Sequence, residues 1–499
     1  MMRRLAGRIL PAAAFLAVLT TFAYAEPAFD PKPWLDDLAQ TREVFLTKYA
    51  NLEWAVFDRE ADLPGLFDDT RKRIAAAQSE TDARAAFDRL ARRLGDGHVV
   101  FVWPVHGAPH GDAALSLPCA DYTSAIVSPS MVARVAGYRP IEAKHSDLFP
   151  IGTIGSGKHR VGVIRIGLFE PQGFPQLCPA ALTALSIPPD KPCDDACDDR
   201  ITNRANSEMS EAFMAQLEAL IATKPDVLLV DLTRNGGGND WAEAAARMLT
   251  AVRLKSERLM FVRGEHWVKH FTDMEADLRK SAEIASPADR AQLLAWADEV
   301  AAKKRVAATP CDAAPLWDGK RPQCSWLGEG FSTTGLLASG DADSLRAKLW
   351  AEDAFTPTAF PYRAGMWRGP LVVVVDSGTG SAAEEFAAEL QDNHAALIVG
   401  EPTVGAGCGH TDGGTPTMLK NSRAILQVPD CARFRADGTN EVRGILPDVL
   451  IGWRKSDGPN LRADAFLAQL RHVVEQAGSR RNAAAYAAGA NAPAAARSH

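Results

Sequence analysis

The sequence predicts an α/β fold in which helices pack on the faces of a mixed β-sheet, preceded by an N-terminal helical segment. First, the apolar runs Val227–Val230 and Leu371–Val375 read as buried strands, and each is followed by a glycine-rich turn and a helical pattern. Second, Phe87, Leu90 and Leu94 recur at intervals of three and four residues, as on an amphipathic helix. Third, the chain is 46% hydrophobic and 23% charged, which is typical of globular proteins.

The first 25 residues have the features of a secretory signal peptide. Arg3, Arg4 and Arg8 precede an apolar run from Ile9 to Ala23, and small residues lead up to Ala25. The run is too short to span a membrane comfortably as an anchor. We therefore expect cleavage after Ala25 and a soluble periplasmic or secreted protein.

The charge of the chain argues against nucleic acid as its main partner. The formal charge is −7, and removal of the three arginines of the leader brings it to −10. No basic stripe is present for nucleic acid or an anionic membrane surface.

Eight cysteines in a chain that leaves the cytoplasm predict disulfides. Proximity favours the pairs Cys311 with Cys324 and Cys408 with Cys431, but the sequence leaves the connectivity open. Zinc binding is the alternative for Cys193 and Cys197, although no second Cys or His pair lies nearby.

Pattern changes along the chain suggest eight segments. The helix of the Phe87 pattern should be capped by Thr81 and end at Gly95, which places His98 at a helix-to-strand turn. We expect a signal peptide at 1–25, N-terminal helices at 26–102, an irregular or small β region at 103–158, α/β core at 159–253 and 366–455, an inserted lid or side domain at 254–365, a C-terminal helix at 456–479 and a disordered tail at 480–499.

Ser381 lies in a glycine turn between the strand that ends at Val375 and a helix. A hydroxyl at this position is exposed at the carboxyl end of a strand, beside the free amides of the first helical turn. A nucleophile there can have its oxyanion stabilised by the N–H of the next residue. The alternative is a plain helix N-cap, a common role for serine.

Three consecutive glycines, Gly236 to Gly238, follow the strand that ends at Val230. Glycines let the backbone approach a ligand closely, with unobstructed amides. The run has neither the Lys-Ser/Thr of a phosphate-binding loop nor the spacing of a dinucleotide fingerprint. An oxyanion hole or a clamp on a substrate backbone fits better than a nucleotide site.

Together these motifs resemble the C-terminal processing and tricorn-core peptidase family. The segment Asp231–Gly238 is similar to the family's aspartate-to-triple-glycine signature, Thr379–Glu384 to its nucleophile segment, and Glu441–Asp448 to its closing motif, in the family's order. The resemblance covers roughly residues 85–452 and implies a crotonase-like βαβ core.

The same resemblance implies a serine peptidase with Ser381 as nucleophile. Bacterial and chloroplast processing enzymes pair their serine with a lysine, and the corresponding residue here is Ala406. The segment Leu94–His98 instead matches the tricorn-like branch, which implies His98 as general base. Glu441 is then expected to orient His98 or to polarise the base.

The oxyanion hole is expected from the amide of Ala382 and that of Gly236 or Gly237. Peptides or unfolded proteins are the implied substrates, and no metal or organic cofactor is required. Two alternatives stay open: a ligand- or peptide-binding protein on the same fold, and a hydrolase of non-peptide esters or amides. No clear PDZ module is present at 103–158, which weakens any expectation of C-terminal specificity.

Overall fold

A computed structural model of the chain describes residues 29–104, 117–124, 127–410, 416–454 and 456–490. The predicted signal peptide at 1–25 and the end of the predicted tail, 491–499, lie outside these residues.

Helices and strands alternate through much of the described chain. The helices are α1 (Lys32–Lys48), α2 (Leu52–Phe57), α3 (Leu63–Ala75), α4 (Glu80–Leu94), α5 (Leu177–Leu185), α6 (Asp195–Ala222), α7 (Trp241–Met248), α8 (Glu265–Ile284), α9 (Pro287–Ala307), α10 (Ala314–Trp317), α11 (Ala342–Leu345), α12 (Ala351–Ala354), α13 (Ala382–Asp392) and α14 (Pro459–Ala490). The strands are β1 (Val100–Val102), β2 (Arg139–Ile141), β3 (Ile151–Ser156), β4 (His159–Arg165), β5 (Val227–Asp231), β6 (Arg258–Val262), β7 (Leu327–Ser332), β8 (Leu371–Val375), β9 (Leu397–Gly400), β10 (Thr417–Met418), β11 (Ile425–Gln427), β12 (Cys431–Phe434) and β13 (Val449–Leu450).

The central sheet has seven strands in the order β13-β9-β8-β5-β4-β3-β2. The first five strands of this order, from β13 to β4, are parallel to one another. Strands β3 and β2 extend one edge through antiparallel pairings. Strands β5 and β8 are buried throughout and pair in parallel, with Val230 opposite Val373. The turns after β5 and β8 therefore lie side by side, and the predicted mixed α/β sheet is confirmed.

Both faces of this sheet are covered by helices, as the alternation of side chains on β5 and β8 requires. Val230 and Val373 face the core that contains α6, α7 and α13. Leu229 and Val372 point the other way, into a core formed with α14.

Helix α4 positions His98, but its cap differs from the prediction. Ser79, not Thr81, is the N-cap: its backbone is extended and its side chain accepts a hydrogen bond from the amide of Asp82. Thr81 lies one residue inside the helix, so it cannot perform this role. Gly95 ends the helix in the left-handed conformation, with φ 78°, as expected.

The segment predicted as an irregular or small β region contributes β2 and β3 to the central sheet. The segment predicted as an insertion forms the helical pair α8 and α9 and the strands β6 and β7. Strand β6 pairs with β7 and with β12, in a second sheet of order β12-β6-β7. Helix α14 runs past the boundary at 479 into the first part of the predicted tail.

Four disulfides join the eight cysteines. The pairs Cys311–Cys324 and Cys408–Cys431 are confirmed, and the others are Cys119–Cys178 and Cys193–Cys197. Because Cys193 and Cys197 are bridged to each other, zinc binding by this pair is excluded. In the parts of the chain that the structure describes, no helix combines the length and apolar character needed to cross a membrane.

Candidate active site

Ser381 occupies a strained turn between β8 and α13. Its backbone angles are φ 53° and ψ −125°, a region that non-glycine residues rarely occupy. An ordinary N-cap serine has an extended backbone and turns its hydroxyl toward the helix. Ser381 forms a capping box with Glu384, but its backbone is not extended and its Oγ also lies 3.1 Å from Nε2 of His98. The backbone strain and this contact argue against a plain capping role.

His98 lies in the turn between α4 and β1 and reaches Ser381 across 283 residues of sequence. Its Nδ1 lies 2.9 Å from the carbonyl oxygen of Ala406. A carbonyl only accepts hydrogen bonds, so Nδ1 must carry the proton and donate it. Nε2 then has a free lone pair directed at the serine hydroxyl.

The carboxylate of Asp96 holds the backbone of His98. One carboxylate oxygen accepts a hydrogen bond from the His98 amide at 2.9 Å. The other accepts from the hydroxyl of Tyr49 at 3.0 Å and the side-chain amide of Asn51 at 2.9 Å. Burial raises the pKa of Asp96, and the neighbouring His98 opposes that shift. We did not predict a role for Asp96, although it lies two residues before the histidine in the same motif.

Glu441 is buried beside Arg433 rather than beside His98. Its Oε1 accepts a hydrogen bond from Nη2 of Arg433 at 2.8 Å, and its Oε2 forms an ion pair with Nε at 2.6 Å. Among the contacts of the described residues, none joins Glu441 to His98. Arg433 also donates to the carbonyl of Ser381 at 3.2 Å, so Glu441 is connected to the backbone of Ser381 through one guanidinium.

The glycine run packs directly against Ser381. Gly237 has φ 114°, and a Cβ there would lie 2.6 Å from the Cβ of Ser381 and 3.0 Å from the amide nitrogen of Ala382. Only glycine fits this position. The Gly237 amide donates to Oδ1 of Asn235 at 2.9 Å, whereas Gly238 lines the cleft beside Ser381.

The cleft that contains Ser381 and His98 has a volume of about 650 Å³. Gly236 and Gly237 are not among its lining residues, while Ala382 is. Much of its wall comes from the inserted segment, through apolar, aromatic and acidic side chains: Leu259, Trp267, Phe271, Met274, Phe331, Glu352 and Asp353.

His410 and both cysteines of the Cys408–Cys431 disulfide also line this cleft. Burial lowers the pKa of His410, and the nearby His98 lowers it further. Among the described residues, no group of three or more His, Cys, Asp and Glu side chains is arranged to hold a metal ion.

Comparisons with known proteins agree with this architecture. The family model described as peptidase family S41 matches residues 199–451, about half of the chain. The crystal structure of mature CPAF is similar over 90% of this chain and 98% of that chain, with 14% identity and a TM-score of 0.58. Mature CPAF complexed with lactacystin is similar over 90% and 99%, with 15% identity and a TM-score of 0.57.

The photosystem II D1 C-terminal processing protease also matches, over 90% of this chain and 99% of that one, with 14% identity and a TM-score of 0.32. At identities this low, the likeness to CPAF shows a shared fold. The family model covers the glycine run, the turn that contains Ser381 and the Glu441 segment, three motifs that carry the resemblance in the sequence. This chain belongs to peptidase family S41.

Proposed function

We propose that this protein is a serine peptidase that cleaves peptides or unfolded proteins through an acyl-enzyme on Ser381, with His98 as general base. The observation that carries this proposal is the 3.1 Å contact between Nε2 of His98 and Oγ of Ser381. The carbonyl of Ala406 fixes the imidazole tautomer that leaves Nε2 free to accept a proton.

The chemistry then follows the usual order of acyl transfer. Oγ of Ser381 attacks the substrate carbonyl carbon while its proton passes to Nε2 of His98. The tetrahedral intermediate collapses as His98 returns that proton to the leaving amine. Water, deprotonated by His98, attacks the resulting ester, and its proton is passed to the Ser381 oxygen as the acid product leaves.

Two backbone amides are proposed to stabilise the tetrahedral oxyanion. The first is that of Ala382, which follows the nucleophile and lines the cleft. The second comes from the glycine run. The sequence favours Gly236 or Gly237, but the Gly237 amide is bound to Asn235 and only Gly238 of the three lines the cleft. We therefore assign the second donor to Gly238.

Asp96 and Glu441 are proposed to act at different places. Asp96 holds the His98 backbone and provides the nearby negative charge that stabilises an imidazolium. Glu441 fixes Arg433, which in turn holds the carbonyl of Ser381. In this arrangement Glu441 supports the nucleophile turn and does not orient the imidazole directly.

The surroundings of the site suit a secreted peptidase. The cleft has a volume of about 650 Å³, and its apolar wall can bury side chains of a peptide. The four disulfides favour an oxidising compartment, in keeping with a periplasmic or secreted location.

A non-catalytic binding protein on the same fold is the second candidate. A binding site has no need for a strained serine with a histidine at hydrogen-bond distance, so the geometry favours catalysis.

Proteolysis of reduced, carboxymethylated casein, followed by mass spectrometry of the products, separates these candidates. We expect the mature wild-type protein to release peptides. Ser381→Ala and His98→Ala, checked for folding by circular dichroism, should each lose at least about a hundredfold in rate. A folded wild-type protein that binds casein but releases no peptide would support the binding candidate. Turnover of small esters alone would support a non-peptide hydrolase.

A further inference from the structure

Glu384 lies in the first turn of α13, three residues after Ser381, and is fully buried. Its two carboxylate oxygens accept four hydrogen bonds. Oε2 accepts from the amides of Ser381 and Ala406, both at 2.9 Å. Oε1 accepts from the amide of Gly405 at 2.7 Å and from the hydroxyl of Thr403.

These donors belong to two separate parts of the site. Ser381 carries the nucleophile in an unfavourable backbone conformation, and its amide is held by Glu384. The amide of Ala406 donates to the same carboxylate, while its carbonyl accepts a hydrogen bond from Nδ1–H of His98. A single side chain therefore connects the backbone of the serine to the group that fixes the histidine.

We infer that Glu384 is a positioning residue that holds Ser381 and His98 in the correct relative position. This inference rests on the proposed peptidase function. A carboxylate that only complemented the helix dipole would contact amides of its own first turn. Three of the four donors to Glu384 instead lie at 403–406, outside the helix.

The arrangement requires the ionised carboxylate, because every group around it donates. Burial raises the pKa of Glu384, the charge of Glu441 adds to this shift, and the hydrogen-bond donors oppose it. A neutral amide at this position would direct an N–H group at other donors. Glu384→Gln therefore keeps the shape of the side chain and disrupts the connection.

Glu389 provides a matched control. It lies on the same helix, is equally buried, and pairs with Arg247 rather than with the nucleophile or the 403–406 turn. Glu389→Gln therefore replaces a buried acidic side chain of α13 without touching Ser381 or His98.

The first test compares the rate at which a fluorophosphonate probe labels the wild type, Glu384→Gln and Glu389→Gln at neutral pH. We expect Glu384→Gln to label at least about tenfold more slowly, because a small misplacement of reacting groups is costly, and Glu389→Gln to stay within about twofold. Labelling of Glu384→Gln at the wild-type rate would overturn the inference. So would equal losses in both variants.

Thr403 supplies a second test with a conservative rescue. Thr403→Val removes the hydroxyl that donates to Glu384, whereas Thr403→Ser retains it. We expect Thr403→Val to label several-fold more slowly than the wild type and Thr403→Ser to label at close to the wild-type rate, because the hydroxyl is the group that contacts the carboxylate. Equal rates in the two variants would contradict the inference.

Nuclear magnetic resonance of the protein with ¹⁵N-labelled histidine tests the same connection without any catalytic readout. Wild type and Glu389→Gln should show a protected His98 Nδ1 proton, and Glu384→Gln should lose it or shift it. An unchanged signal in Glu384→Gln would count against the inference. If the wild type fails to label but the His98 signal responds as expected, the proposed function fails and the positioning role of Glu384 stands.

Discussion

Ser381 and His98 are 283 residues apart in sequence, yet a short set of hydrogen bonds holds their side chains together. The carbonyl of Ala406 fixes one imidazole nitrogen, and Asp96 holds the histidine backbone from the other side. Asp96 is buried, with Tyr49 and Asn51 donating to its second oxygen. At the scale of single residues, the histidine therefore depends on Asp96 more directly than on Glu441.

Asp96→Asn tests this dependence. The substitution removes a negative charge that interacts with His98, so the rate constant kcat should fall by about a hundredfold with little change in KM. Tyr49→Phe removes only one donor to the same carboxylate and should cost less. The measurement is peptide hydrolysis by both variants beside the wild type. Wild-type kcat in Asp96→Asn would contradict the role given to this residue.

At the scale of elements, the site is built where two parallel strands end. The turn after β5 provides the glycine run and the turn after β8 provides Ser381, and the pairing of β5 with β8 places them together. The turn at 403–410, which follows β9, carries the carbonyl that holds His98. The Cys408–Cys431 disulfide attaches this turn to β12, the strand that carries Arg433.

Removal of this disulfide should therefore impair catalysis. We expect the double substitution Cys408→Ser and Cys431→Ser to lower kcat several-fold, because the turn that holds His98 loses its covalent attachment. The control is the double substitution Cys193→Ser and Cys197→Ser, which removes a disulfide whose cysteines do not line the cleft. Peptide hydrolysis and thermal unfolding of both double variants provide the comparison. Equal kcat in the two would show that the Cys408–Cys431 bridge serves stability alone.

The sequence predicted the strands and the turn that contains Ser381 because their signals are local. Val227–Val230 and Leu371–Val375 are continuous apolar runs, and glycines mark the turns that follow. The contacts of Glu441 could not be predicted in the same way, since its partner Arg433 lies on a separate strand and no local pattern reports their pairing. The cap of α4 was predicted at Thr81 rather than Ser79 because both residue types cap helices and they lie two positions apart.

At the scale of the whole molecule, buried carboxylates are concentrated on and beside helix α13, which follows Ser381. Glu243 and Glu389 share the single guanidinium of Arg247, with contacts of 2.5 and 2.7 Å. Burial raises the pKa of Glu389 to about 8, with Arg247 opposing that shift. Two carboxylates beside one guanidinium therefore retain a proton that neither would hold in the unfolded chain.

This proton makes stability depend on pH. A glutamate in the unfolded chain has a pKa of about 4.3, so between roughly pH 5 and pH 8 Glu389 binds more protons in the folded protein than in the unfolded chain. The free energy of unfolding should consequently fall as the pH rises through this window. Glu389→Gln removes the titration and should flatten the dependence, as thermal unfolding midpoints at pH 6 and pH 9 would show. An equally steep decline in the variant would assign the effect to other groups.

The central claim is that His98 activates Ser381 as a nucleophile. Its most direct test is to react the mature protein with a fluorophosphonate probe at neutral pH and to locate the adduct by peptide mass spectrometry. We predict one adduct, on Ser381, that is absent in folded Ser381→Ala and strongly reduced in folded His98→Ala. A folded wild-type protein that stays unlabelled, or that is labelled equally well without His98, would contradict the claim.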